Sequence, residues 1–181
     1  MRIFIALIVL VSLHQMVFAQ LPQGLSAKTK IYLVRHAEKE TGKDPVLTQN
    51  GNTRAGDLMR TLNSKHLQQL YVTQYKRTQQ TADSLRIQLG IDTIHYLADT
   101  TAADIFNKII SHNASGKTIL IVGHSNTVIK IIAKLGAVNF ATADIPDGEF
   151  DNLYLVRYKK NKAIVKKMKY GSASAGSAVM Q

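Results

Sequence analysis

Two apolar runs, each ending in a histidine, constrain what this chain can fold into. Ile31-Tyr32-Leu33-Val34 runs directly into Arg35-His36-Ala37-Glu38-Lys39. Ile119-Leu120-Ile121-Val122 runs into Gly123-His124-Ser125-Asn126. Continuous apolar runs of this length, rich in β-branched residues, are the mark of strands buried on both faces. Each run therefore delivers an imidazole at the carboxyl edge of a sheet, where open α/β sheets bind their ligands. A histidine there can act as nucleophile, base or metal ligand. The arginine beside the first favours a phosphate or a carboxylate, because its planar fork matches those groups bidentately. Between the runs, Arg77-Thr78-Gln79-Gln80-Thr81-Ala82 brings a further arginine to the start of a helix-like stretch.

The 181 residues fit one domain. Residues 1–19 read as a secretory signal peptide: Arg2, then an apolar core over 3–13, then Val17-Phe18-Ala19 before Gln20. The apolar stretch is shorter than the roughly 20 residues a membrane-spanning helix needs. The expected organisation is signal peptide 1–19, domain 20–170 and a disordered tail 171–181 of Ser, Ala and Gly with little else. Secretion or periplasmic residence follows, with no membrane association once the signal is cleaved. The chain has no cysteine, which excludes disulfides, thiolate nucleophiles and thiolate-bound zinc. Its formal charge of +11 points to anionic partners. The signal peptide argues against nucleic acid. Much of the excess lies in Lys159, Lys160, Lys162, Lys166, Lys167 and Lys169, which read most simply as the solvated face of a terminal hairpin. The oligomeric state is not encoded in any readable motif.

Strands are expected over 29–34, 70–73, 92–96 and 119–122, with a closing hairpin of 153–158 and 163–168 around Asn161. Helices are expected over about 49–62, 77–89, 101–112 and 127–135. Thr48 would cap the first helix, Gly90 and Gly136 would end the second and fourth, and Ser125 or Asn126 would cap the last. The fold class is α/β, a three-layer sandwich with a mostly parallel sheet flanked by helices, made mixed by the hairpin.

The ordered set of Arg35-His36-Ala37-Glu38, Leu47-Thr48-Gln49-Asn50-Gly51-Asn52-Thr53-Arg54-Ala55, Arg77-Thr78-Gln79-Gln80-Thr81-Ala82 and Gly123-His124-Ser125 resembles the histidine phosphatase superfamily. That superfamily is also called phosphoglycerate mutase-like. Its RHG or RHA, LTxxGxxRA, RxxQTA and later GH motifs occur in this order, and the chain is similar to a small member of its first branch. The resemblance implies a metal-independent phosphomonoesterase. His36 would attack phosphorus and carry a phosphohistidine, splitting one hard displacement into two easier ones. Arg35, Arg77 and His124 would surround the phosphoryl oxygens and stabilise their developing charge. The helix start after His124 would add backbone donors. No cofactor and no metal is implied, and the partner is an anionic phosphorylated substrate, an ester or a phosphoprotein.

The leaving oxygen needs a proton. Asp99 is the best-placed candidate acid and Asp104 the next; a helix cap is an equal reading of Asp99, and dispensing with a firm acid is a third possibility. The phytase-like branch, with an acid directly after its second histidine, does not match Ser125. Arg54 reads as a structural ion pair ahead of a substrate contact, and Glu38 as the partner of Arg54 or of another arginine. His66, His95 and His112 lack any motif and read as surface or structural residues. Phosphoglycerate mutase-type phosphotransfer and a non-catalytic phosphate-binding module are the alternatives.

Overall fold

The computed structural model describes residues 21–141 and 143–175. The elements run β1 Lys30–Arg35, α1 Gln49–Leu62, a 3-10 turn Asn63–Lys65, β2 Gln69–Thr73, α2 Lys76–Leu89, β3 Thr93–Tyr96, α3 Ala103–Ser111, β4 Thr118–Gly123, α4 Val128–Lys134, β5 Asn152–Lys159 and β6 Lys162–Lys169. The six strands form one sheet in the order β3-β2-β4-β1-β5-β6. The pairs among β1 to β4 are parallel. The β1–β5 and β5–β6 pairs are antiparallel.

The alternation inside β1 and β4 explains the layers. Ile31, Leu33, Ile119 and Ile121 face one core with α3 and α4, through Ile105, Ile109, Val128 and Ile132. Tyr32, Val34, Leu120 and Val122 face the other with α1 and α2, through Leu58, Leu62, Ala82 and Leu85. Both faces of the central strands are thus buried, which is why their sequence is apolar throughout.

Local chemistry fixes the helix ends. The Thr48 hydroxyl accepts from the Gly51 amide and caps α1. Gly90, at φ +64°, ends α2. Two expectations are corrected. The last helix starts at Val128, and neither Ser125 nor Asn126 caps it; Thr127 stands at its cap position without a side-chain capping bond. Its hydroxyl instead accepts from the His124 amide at 2.9 Å. The tail is also shorter than expected. The Arg54 guanidinium donates to the carbonyls of Tyr170 and Ser172. Ser174 is buried, its hydroxyl accepting from the Phe150 amide and its own amide donating to Asp151. Residues 171–175 therefore pack on the domain, and the rest of the expected tail and the expected signal peptide lie outside the described residues.

Candidate active site

Register brings the two histidines together. Arg35 of β1 pairs with Gly123 of β4, so the next residue on each strand emerges at the same height. Neighbouring strands lie about 4.8 Å apart, and the His36 and His124 ring centroids are 5.3 Å apart, edge to face at 64°. The His36 amide donates to the Gly123 carbonyl at 2.9 Å, closing the pair. Gly123 is required for closeness: a Cβ there would come within 3.0 Å of the Thr127 hydroxyl oxygen and 3.3 Å of the Tyr96 hydroxyl.

The four sequence motifs are knitted around this edge. Gly51 lets α1 press on the loop after β1; a Cβ there would overlap the Glu38 carbonyl oxygen. Gln80 accepts from the Leu47 amide at 2.8 Å. The Thr81 hydroxyl accepts from the Ala37 amide at 2.9 Å and donates to the Arg77 carbonyl. Arg54 grips Glu38 through Nε and Nη2 at 2.7–2.9 Å, as the ion-pair reading of the sequence had it.

A cavity of about 430 Å³ opens at the edge, lined by Arg35, His36, Arg77 and His124 together with Lys39, Tyr75 and Asp147. Arg35, His36 and His124 are buried. The His36 Nδ1 lies 2.8 Å from the Ala37 carbonyl. A carbonyl only accepts, so Nδ1 carries the proton and the lone pair resides on Nε2. Burial, with His124, Arg35 and Arg77 nearby, pushes His36 down to about 3. Burial, with Arg77 and Arg35, pushes His124 down to about 4. Both rings are neutral at pH 7. The His124 Nδ1 faces the Arg77 Nη2 at 3.4 Å and its Nε2 faces the Thr73 hydroxyl at 3.0 Å. Since a guanidinium only donates, Nε2–H of His124 donates to Thr73, which leans on Thr78 at 2.8 Å.

The arginines are fixed but not consumed. The Arg35 Nη1 donates to the carbonyls of Pro146, Asp147 and Glu149, and its guanidinium lies over the Phe150 ring at 4.3 Å. Arg77 lies over Tyr75 at 4.3 Å. The Nε of Arg35 and the Nε of Arg77 are both buried without a hydrogen-bond partner. Two buried cationic donors beside two neutral imidazoles suit an anion with several oxygens.

The structure brings four predicted residues together and leaves Asp99 and Asp104 aside. The Asp99 carboxylate accepts from the amides of Ala103 and Asp104 at 3.2 Å each and from the Thr101 hydroxyl. Those bonds, led by Thr101, hold it below the usual carboxylate range. It serves the first turn of α3, which is the capping alternative, and it does not line the cavity. Asp104 accepts from the Leu97 amide. The backbone donors expected from a helix directly after His124 are also displaced, since α4 begins four residues later. Sequence reasoning missed Thr73, Tyr75, Phe150 and Asp147. Only the position of Thr73 at a strand end signalled it. Among the described residues, no three His, Asp or Glu side chains are grouped to share a metal ion.

The family model described as histidine phosphatase superfamily (branch 1) matches residues 31–101. That span carries the first three motifs, and β4 supplies the fourth. Over that span, which is less than half of the chain, the sequence is similar to the histidine phosphatase superfamily. Solved structures share the architecture. The protein histidine phosphatase SixA complexed with tungstate aligns with a TM-score of 0.59 at 15% identity, covering 77% of this chain and 96% of its own. The phosphoserine phosphatase of Entamoeba histolytica with 3-phosphoglyceric acid aligns at 0.52 and 14% identity, covering 80% and 98%. A mycobacterial glucosyl-3-phosphoglycerate phosphatase aligns at 0.54 and 8% identity, covering 80% and 99%. At these identities the likeness is one of fold. No curated protein matches the chain by sequence.

Proposed function

We propose that the protein is a metal-independent phosphomonoesterase that works through a phosphohistidine on His36, and that it acts after export. The observation that carries this reading is the convergence of Arg35 and Arg77 on one cavity with a neutral His36. The match of residues 31–101 to the histidine phosphatase superfamily supports the same chemistry.

In the first step the Nε2 lone pair of His36 attacks phosphorus and the bond to the leaving oxygen breaks. The leaving oxygen takes a proton from water, which the Asp147 carboxyl group at the cavity is placed to relay. Positive charge then spreads over the imidazole, and the Nδ1–H bond to the Ala37 carbonyl stabilises it. Arg35 and Arg77 hold the non-bridging oxygens throughout, where charge is greatest in the transition state, and His124 orients Arg77 by accepting from its Nη2. In the second step water attacks the phosphohistidine, releasing inorganic phosphate and a neutral His36. The substrate is a phosphate ester or a phosphorylated protein. The SixA and phosphoserine phosphatase likenesses fit either.

Brief incubation with a ³²P-labelled phosphate ester followed by alkaline quench should trap an acid-labile, base-stable label on His36. His36→Ala should lose both label and turnover while keeping its circular dichroism spectrum. Turnover near wild type in that variant overturns the mechanism. Tight substrate binding without label or turnover in the wild type would make the protein a phosphate-binding module instead.

A further inference from the structure

At the end of the sheet away from the cavity, one face is built of cations. β5 runs antiparallel to β1, so its last residues and the start of β6 sit beside the beginning of β1. Lys30 and Arg35 bracket β1, and five steps of strand separate the two ends by about 16 Å. Across β5 and β6, Arg157 opposes Ile164, Lys159 opposes Lys162 and Leu155 opposes Lys166. Directly opposed residues of antiparallel strands share a face. Tyr32 opposes Leu155, which puts Lys30 on the same face. Lys30, Arg157, Lys159, Lys162, Ile164 and Lys166 are all exposed, with Ile164 at 44% in their midst.

No carboxylate offsets this charge. β1, β5 and β6 contain no acidic residue, and none of these cations forms an ion pair with a described carboxylate. The opposite face of the same hairpin differs. There Lys169 pairs with Asp151 at 2.9 Å and Glu149 at 3.8 Å. The asymmetry is therefore a property of one face.

We propose that this face docks on an anionic phospholipid surface. The cations are mostly lysines, flexible point charges that suit a diffuse negative potential. Lysine is depleted at protein–protein interfaces, and the face has no exposed aromatic for stacking on bases. An exposed isoleucine at the centre of a basic patch is the composition of an interfacial binder. Docked in this way, the protein would turn its cavity toward water. This departs from the solvated-face reading of the hairpin, and it is independent of the proposed phosphatase chemistry.

The full chain should be tested by vesicle co-sedimentation against phosphatidylglycerol-rich and pure phosphatidylcholine vesicles across a salt series. Wild type and hairpin variants share the residues before Pro22, so the change in lipid preference between them reads the basic face. Affinity for the anionic vesicles should exceed that for neutral ones by about tenfold or more at low salt and fall as salt rises. The variant Arg157→Glu/Lys159→Glu/Lys162→Glu/Lys166→Glu should lose the difference and keep hydrolysis of a small aryl phosphate. The corresponding all-glutamine variant should lose most of it without placing like charges on one strand pair. Equal binding to both lipids, or an unchanged preference in the glutamine variant, overturns the proposal. So does tighter binding of the same face to duplex DNA or polyglutamate than to the anionic vesicles.

Discussion

The rings of His36 and His124 stand 5.3 Å apart, edge to face, because Arg35 and Gly123 are register partners on adjacent parallel strands. Two imidazoles held that close, between two guanidinium groups, cannot both take up protons. Their neutrality is a consequence of placement, and it leaves the Nε2 lone pair of His36 free, as the proposed nucleophilic role requires.

The pH dependence follows. The folded values, about 3 for His36 and about 4 for His124, lie below the ordinary histidine value of about 6.5. Above that ordinary value both states are neutral and pH has no effect through these rings. As pH falls below it, the unfolded chain binds protons that the folded chain refuses, so stability drops progressively toward the folded values. Urea midpoints measured at pH 7 and at about pH 5 should differ more for the wild type than for His36→Gln/His124→Gln. In NMR titrations without phosphate, the ring protons of both histidines should stay unmoved across that interval. A midpoint near 6.5 for either ring would contradict the burial argument.

Asp99 serves the first turn of α3, and the proposed proton relay falls to Asp147. Asp99→Ala removes bonds to the first turn of α3, with an expected cost of about 1 kcal/mol in stability. It should leave the ratio of turnover on alkyl phosphates to that on p-nitrophenyl phosphate unchanged. Asp147→Asn should lower that ratio, because only the poor leaving group needs the proton. A selective loss on alkyl phosphates in the Asp99 variant would return it to the acid role.

How far the sequence carried depended on whether a residue's surroundings were local. The strands ending at His36 and His124 were legible because an apolar run needs no distant partner to declare itself. Thr48 and Gly90 were legible because caps act within a turn. Asp99 was ambiguous because cap and acid demand the same residue at the same place, and only the direction of its carboxylate decides. Phe150 carried no signal: its position under Arg35 is set by the loop 146–149, whose carbonyls hold the guanidinium from far along the chain. The segment 171–175 looked unstructured because small polar residues bury little area, yet Arg54 and Asp151 bind its backbone.

Arg54 therefore has a measurable structural role. Its side chain is 6% exposed and that of Glu38 21%, so removing one partner strands a largely desolvated charge. Glu38→Gln is expected to cost about 3 kcal/mol or more. Arg54→Met should cost less, and should release residues 171–175 to limited proteolysis near Ser172. Proteolysis at the wild-type rate in that variant would show that the segment is held by other contacts.

Chelation provides a separate check on the proposed chemistry. Hydrolysis of an aryl phosphate should continue in excess EDTA, since the proposed charge stabilisation comes from Arg35 and Arg77. Complete loss, restored by a divalent cation, would mean that a metal enters the site.

Phe150 supports Arg35 without touching the reacting atoms. The guanidinium carbon sits 4.3 Å from the ring centroid, and the ring is 6.2 Å from that of His36. A desolvated cation–π contact of this kind contributes about 1–2 kcal/mol. Phe150→Ala should let the guanidinium tilt away from its carbonyl anchors and weaken phosphate binding in ground state and transition state alike. KM and the inhibition constant of inorganic phosphate should rise together, by about five- to thirtyfold, with a smaller change in kcat. Phe150→Tyr, which keeps the ring face, should restore both. A fall in kcat alone, with phosphate inhibition unchanged, would place the effect on His36 rather than on Arg35.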